Sequence, residues 1–323
     1  MCTSILMKGK RPLFGRNMDL YYELDCSVVI TPRNYPFSFR AAGILEHHYA
    51  MTGMAVVKEG YPLYCEAVNE HGLAVAGLDF PGNAFYSEKK DDKKANISPF
   101  ELIPWGLSKC KNITEAKTLL EDTHITAINF SESLPLSPLH WHFADRDCSI
   151  VFEVTDKGAK TYDDPMNVMT NNPPFDFHLS NISHYLNLTA EDPSNCLAEM
   201  GVRPVSFGLG SFGLPGDFSS ASRFVKASYL LKNSVCEGDK RSITQFFHLL
   251  ASVAMVRGSV LTPKGNFDLT AYSCCIDLLS GIYYYTTYEN SRINVISMNK
   301  EDIDGCGIYI FPLEACQDFK LQN

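Results

Sequence analysis

Met1-Cys2-Thr3-Ser4-Ile5-Leu6-Met7, followed after a short turn by Pro12-Leu13-Phe14-Gly15-Arg16-Asn17-Met18-Asp19, is the stretch on which both fold and chemistry turn. Residues 3–7 and 12–17 read as two strands of a hairpin, so Arg16 and Asp19 come back towards the start of the chain. Loss of Met1 would leave a thiol and a free α-amine on Cys2. Those two groups ordinarily titrate within about one pH unit of each other, so the amine is a base for its own nucleophile, directly or through one water. Arg16 would favour the thiolate, and Asp19 would hydrogen-bond the amine and orient it. By themselves, a cysteine at position 2 and an Arg–Asp pair also fit an ordinary chain start and a structural salt bridge.

Outward from this stretch the strand pattern continues. Residues 27–32, 50–57 and 63–69 alternate or run apolar, and Asn69-Glu70-His71-Gly72 reads as a hairpin turn into residues 73–78, with glycine supplying positive φ. The small, apolar Gly72-Leu73-Ala74-Val75-Ala76-Gly77 is the composition of a strand covered on both faces. Helices are expected from Ser98 to about Ser108, from Asn112 through Leu120, from Ser219 or Ser220 to about Cys236, and from Ser242 to about Met255. Strands return at residues 139–145 and 149–155, and again at 270–278, 282–288, 294–299 and 307–311. Strands, then helices, then strands point to two antiparallel sheets with helices outside, rather than a doubly wound parallel fold.

The 323 residues carry a net charge of −9, which argues against a nucleic-acid surface, because that needs a phosphate-neutralising basic face. The charged run 87–96 mixes both signs over a short span and reads as a surface loop, not a linker. No apolar stretch reaches the roughly 20 residues of a membrane span, and no signal-peptide pattern precedes the first strand. The eleven cysteines are therefore expected as reduced thiols in a cytoplasmic chain. Gly208-Leu209-Gly210-Ser211-Phe212-Gly213 matches a dinucleotide fingerprint, yet Pro215 and Gly216 interrupt the helix that such a site requires. His140-Trp141-His142 puts two imidazoles on one strand face without a third zinc-type ligand nearby. Tyr283-Tyr284-Tyr285 reads as packing, and Asn171-Asn172-Pro173-Pro174 as a turn.

The ordered set of motifs is more specific than any one of them. Met1-Cys2-Thr3 and residues 14–19 are followed by Asn69-Glu70-x-Gly72-Leu73, Ala76-Gly77-Leu78-x-Phe80-Pro81, Leu139-His140-Trp141 and Met169-Thr170-Asn171. Residues 213–218 with Ala221-Ser222-Arg223-Phe224, Met255-Val256-Arg257-Gly258-Ser259, and residues 283–290 complete the set. Over nearly its whole length the chain resembles the choloylglycine hydrolases, the conjugated bile salt hydrolases and penicillin V acylases within the N-terminal nucleophile hydrolases.

That resemblance implies an α+β fold, a four-layer αββα sandwich, as one domain over residues 1–323. It places Cys2 at the nucleophile position and Arg16, Asp19 and Arg223 at active-site positions, with Asn171 donating to the oxyanion and no cofactor or metal. The second oxyanion donor is the backbone N–H of Asp79, a position where relatives commonly carry asparagine or tyrosine. An ionised Asp79 opposes a developing oxyanion unless paired, and Arg223 is the candidate partner. Met18, Cys65, Phe130 and Leu134 fall on substrate-pocket positions, although each also fits a core. Residues 188–215 correspond to a loop that reaches between subunits of tetrameric relatives, so a homotetramer is expected. The implied substrate is a glycine- or taurine-conjugated bile acid; a penicillin V acylase or other N-acyl amidase, and more remotely a non-catalytic binding homologue, are the alternatives.

Overall fold

Gly15 is where three strands close on one another. Its Cα faces Ile5 on one side and Cys275 on the other, and a Cβ there would lie 2.0 Å from the Cys274 carbonyl oxygen, so only glycine lets the neighbour approach. The computed structural model describes residues 1–236 and 238–323. In order, the chain forms β1 (Cys2–Met7), β2 (Leu13–Leu20), β3 (Ser27–Thr31), β4 (Phe37–Phe39), β5 (Gly43–Leu45), β6 (Met51–Lys58), β7 (Tyr61–Asn69), β8 (Ala74–Asp79) and β9 (Ala95–Ile97). After α1 (Leu102–Lys109) and α2 (Ile113–Glu121) come β10 (Thr123–Ile125), β11 (Leu139–Ala144), β12 (Ser149–Thr155), β13 (Gly158–Asp163) and β14 (Val168–Met169). Helices α3 (Phe175–Asn181), α4 (Ser220–Lys232) and α5 (Asp239–Ala251) precede β15 (Val260–Leu261), β16 (Phe267–Asp277), β17 (Ile282–Thr287), β18 (Asn294–Ser297) and β19 (Tyr309–Pro312).

The strands build a seven-stranded sheet, β14-β1-β2-β16-β17-β18 with β15 on β16, and an eight-stranded sheet, β13-β12-β11-β8-β7-β6-β3-β19. Every pairing within the two is antiparallel. β1 and β2 pack on β8, which sets the sheets face to face; α1 covers β7 and β8, while α4 and α5 cover β1, β2 and β16. This is the αββα order of layers.

Alternation along the strands fills two cores. Ala74, Ala76 and Leu78 point between the sheets, whereas Leu73 and Val75 join Leu102, Trp105 and Leu107 under α1. The hairpin turn is fixed by Gly72 at φ 86° and by Asn69, whose Oδ1 accepts from the His71 and Leu73 N–H groups. Its Nδ2 donates to the carbonyls of Leu107 and Cys110 at 2.9 and 2.7 Å. One side chain thus shapes the turn and satisfies the orphan carbonyls that end α1.

Boundaries shifted where polar residues rather than apolar period decide them. Gly238, at φ 87°, precedes α5, so Ser242 lies inside the first turns instead of capping them, and the helix ends at Ala251. α4 stops at Lys232, short of Cys236. The edge strand β13 was not expected because it is mostly exposed and lacks alternation. Gly208 to Gly213 form a loop with one short 3₁₀ turn. No helix among the described residues is long and apolar enough to cross a membrane.

Candidate active site

Cys2 sits opposite Met18 in the β1–β2 pair, and Arg16 lies opposite Ser4. Arg16 therefore reaches Cys2 along the diagonal of the ladder, a distance long side chains span. Its Nη2 donates to Cys2 Sγ, and Met18 Sδ is 3.9 Å from the same sulfur. The guanidinium is fully buried; Nη1 donates to the carbonyls of Gly77 at 2.6 Å and Cys65 at 3.4 Å. Burial alone would pull Arg16 below the ordinary guanidinium value, but Cys2, Tyr272 and Glu66 outweigh it and hold it above. A permanent positive charge is fixed against the sulfur.

The nitrogen of Cys2 meets a second set of groups. β14 pairs with β1, Ser4 facing Met169, which carries Asn171 to the end of β1. Cys2 N–H donates to Asn171 Oδ1 at 2.7 Å, and Arg223 Nη2 donates to the same oxygen at 2.8 Å. Two donors on one atom settle which way the amide points, so Nδ2 faces the Asp79 carbonyl at 2.7 Å. The Asn171 backbone is pinned as well, its N–H to Ser220 Oγ at 2.8 Å and its carbonyl to His178 Nε2 at 3.0 Å.

Arg223 lies early in α4, whose start is set by the Ser219 side chain accepting from the Ser222 N–H. Besides Asn171 it donates to the Cys2 carbonyl, to Thr3 Oγ1 at 2.6 Å and to the Phe218 carbonyl at 3.0 Å. Burial brings it below the ordinary guanidinium value, against the pull of Asp19, Cys2 and Asp268. Asp19 is buried too, and burial raises its carboxyl while Arg223 and the chain's terminal amine oppose. Oδ1 accepts from Thr270 Oγ1 at 2.6 Å; Oδ2 has no hydrogen-bond partner among the described residues. Met1 extends the strand, exchanging backbone hydrogen bonds with Asp19 at 2.8 and 2.9 Å, and its ammonium is 3.4 Å from Asp268 Oδ2.

Residues 2–311 match the profile of the linear amide C–N hydrolases, choloylglycine hydrolase family. The chain belongs to that family. A bile salt hydrolase/transferase of Lactiplantibacillus plantarum is 45% identical, with 98% of each chain covered, and one of Clostridium perfringens is 39% identical over 94% of each. A crystal structure of the conjugated bile acid hydrolase of Clostridium perfringens superposes with a TM-score of 0.94 at 37% identity, covering 100% of both chains. The penicillin V acylase of Agrobacterium tumefaciens, at 20% identity and a TM-score of 0.75, shares the fold; 99% of this chain and 100% of that one are covered. The protein is a hydrolase of linear amide bonds.

In this choloylglycine hydrolase the expected pairing of Asp79 with Arg223 does not form. All three nitrogens of Arg223 are committed to Cys2, Thr3, Asn171 and Phe218, because α4 packs on β1 and delivers it from that side. The Asp79 side chain instead reaches solvent; partial burial raises its carboxyl, the terminal amine and His140 opposing. Its backbone N–H is free of the ladder. Phe80 N–H bonds the Pro138 carbonyl and Leu139 N–H goes to Tyr86, so Asp79 and Leu139 are a non-hydrogen-bonded pair, and the β7 ladder has already ended at Ala76.

The four expected pocket residues divide. Met18 lies against the Cys2 sulfur and Cys65 against the Arg16 guanidinium, whereas Phe130 and Leu134 pack in the cluster under α1, Phe130 against Tyr61, Phe100 and the Arg40 guanidinium. Glu66, Asp268, Thr270, Tyr272 and Ser220 were not read from the sequence. Glu66 pairs in register with Met54 and Ala76, which point between the sheets, and a β-bulge that leaves Cys65 extra turns Cys65 the same way. Ser4, His142 and Asp164 also line up, at 2.8 and 3.2 Å. All three are buried, and the set pins β1 of one sheet to β11 of the other.

Proposed function

We propose that this chain is a conjugated bile salt hydrolase that cleaves the amide between a bile acid and glycine or taurine, with Cys2 as an N-terminal nucleophile. The observation that carries the mechanism is the convergence of Arg16 on the sulfur and Asn171 on the nitrogen of one residue. The full-length relatives named bile salt hydrolase/transferase support the substrate.

Met1 is removed first, which turns the Cys2 nitrogen into an amine next to Asn171 Oδ1, with Asp19 Oδ2 as a further acceptor. The amine takes the thiol proton, and the sulfur attacks the amide carbonyl. Asp79 N–H and the second hydrogen of Asn171 Nδ2 hold the oxyanion. Collapse breaks the C–N bond, and the Cys2 ammonium gives its proton to the departing glycine or taurine nitrogen. Water, deprotonated by the same amine, hydrolyses the thioester. An amine attacking in place of water transfers the acyl group instead. Arg223 positions Asn171 and the Cys2 carbonyl.

The eleven cysteines are free thiols, which supports a reducing, cytoplasmic setting. The loop 188–215 exposes Val205 and Phe207 at 96% each, which supports its use as the contact between copies in a homotetramer.

The test is a panel of glycine- and taurine-conjugated bile salts beside penicillin V, on protein whose N-terminus has been checked by mass. Release of glycine or taurine is expected. No release together with brisk hydrolysis of penicillin V would make the chain a penicillin V acylase instead.

A further inference from the structure

Among the described residues, Glu66 is the one carboxylate within ion-pair distance of Arg16, Oε2 lying 3.6 Å from Nη1 with both side chains fully buried. The reaction outlined above does not use it. Two buried hydroxyls hold it in place, Tyr272 at 2.9 Å from Oε2 and Tyr283 at 2.5 Å from Oε1, with the Cys274 thiol beside it. Tyr283 thus has a polar partner inside the molecule, not only packing. Burial raises the Glu66 carboxyl while Arg16 and the two tyrosines oppose. A buried ion pair is seldom the most stable filling for such a space, so stability alone is a poor account of four polar groups stacked behind a nucleophile.

We propose that Glu66 is a positioning residue for Cys2: held by Tyr272 and Tyr283, it fixes the Arg16 guanidinium against the sulfur and offsets part of the positive charge the sulfur meets. The proposal rests on Cys2 as the nucleophile and not on the identity of the substrate. Arg16 is faced by Cys2 from β1, Met18 beside it on β2, Cys65 and Glu66 from β7, the Gly77 carbonyl from β8 and Tyr272 from β16. Cys26 lies near Glu66 and Cys65. Without the carboxylate, the guanidinium is less neutralised, the sulfur meets more positive charge, and its ionised form is favoured.

The experiment follows the pH dependence of Cys2 alkylation by iodoacetamide, read as the mass of the N-terminal peptide of processed protein, beside kcat and KM. In Glu66→Gln the alkylation midpoint moves down by about 0.5 pH unit or more, roughly threefold faster labelling below the midpoint. Its kcat falls with KM little changed, because the guanidinium has lost its backstop. Glu66→Asp keeps the charge and restores the wild-type profile. Tyr283→Phe leaves Glu66 in place, removes one donor to it and shifts the profile in the same direction by less. A folded Glu66→Gln or Tyr283→Phe whose profile superposes on wild type overturns the proposal; if Glu66→Gln does not fold, Tyr283→Phe decides. Full hydrolysis by Cys2→Ala would instead sink the nucleophile assignment itself.

Discussion

At the scale of single residues, the site is a set of buried charges arranged around one cysteine, with the solvent-facing Asp79 carboxyl at its edge. That carboxyl stands above the ordinary value, so it is neutral at low pH and ionises as pH rises through that raised value. In the proposed mechanism the ionised form lies beside the developing oxyanion. Asp79→Asn is therefore expected to raise kcat/KM at pH 7 by about fivefold, for ~1 kcal/mol of charge repulsion across partly solvated space, and to converge with wild type at low pH. Steady-state profiles of both proteins read this; a variant slower than wild type at pH 7 would show that the carboxylate assists. Arg16, Asn171 and Arg223, which converge on Cys2, were legible from motifs. Glu66 was not, since a charged residue in a strand reads as facing solvent, whereas its register with Met54 and Ala76 turns it between the sheets. Nor was the commitment of Arg223, which depends on how α4 is aimed.

At the scale of elements, the site hangs on the β1–β2–β16 trio. β1 carries Cys2, β2 carries Arg16 and Asp19, and β16 supplies Thr270 and Tyr272. Gly15 lets β16 close on β2, and a Cβ 2.0 Å from the Cys274 oxygen meets backbone that cannot swing aside. Gly15→Ala is expected to destabilise the fold by at least about 1–3 kcal/mol, the usual size of overpacking, and to lower kcat as Arg16 moves. Urea unfolding measures the first effect, and a midpoint equal to wild type would contradict it. Strands covered on one or both faces were readable, since apolar alternation or an apolar run marks them. β13 and the short strands β4, β5, β9, β10, β14 and β15 were not, because β13 is mostly exposed and two or three residues are too few to carry a period.

At the scale of the whole molecule, two antiparallel sheets between helical layers follow from strands at both ends of the chain and helices between. What that order does not specify is how copies meet. The exposed apolar side chains of residues 188–215, with Met200 at 80% and Phe212 at 82% beside Val205 and Phe207, are expected to be covered in a tetramer. Light scattering should then give four times the chain mass, and Phe207→Asp with Phe212→Asp should lower it. A wild type that stays monomeric at micromolar concentration contradicts that arrangement.

The central claim is that a single residue supplies both nucleophile and base. Its most direct test is to quench turnover of a glycine-conjugated bile salt rapidly in acid and weigh the N-terminal peptide. The account predicts a bile acyl group on a peptide that begins at Cys2. Turnover with no acyl group on Cys2, or an acylated peptide that still begins at Met1, would contradict it.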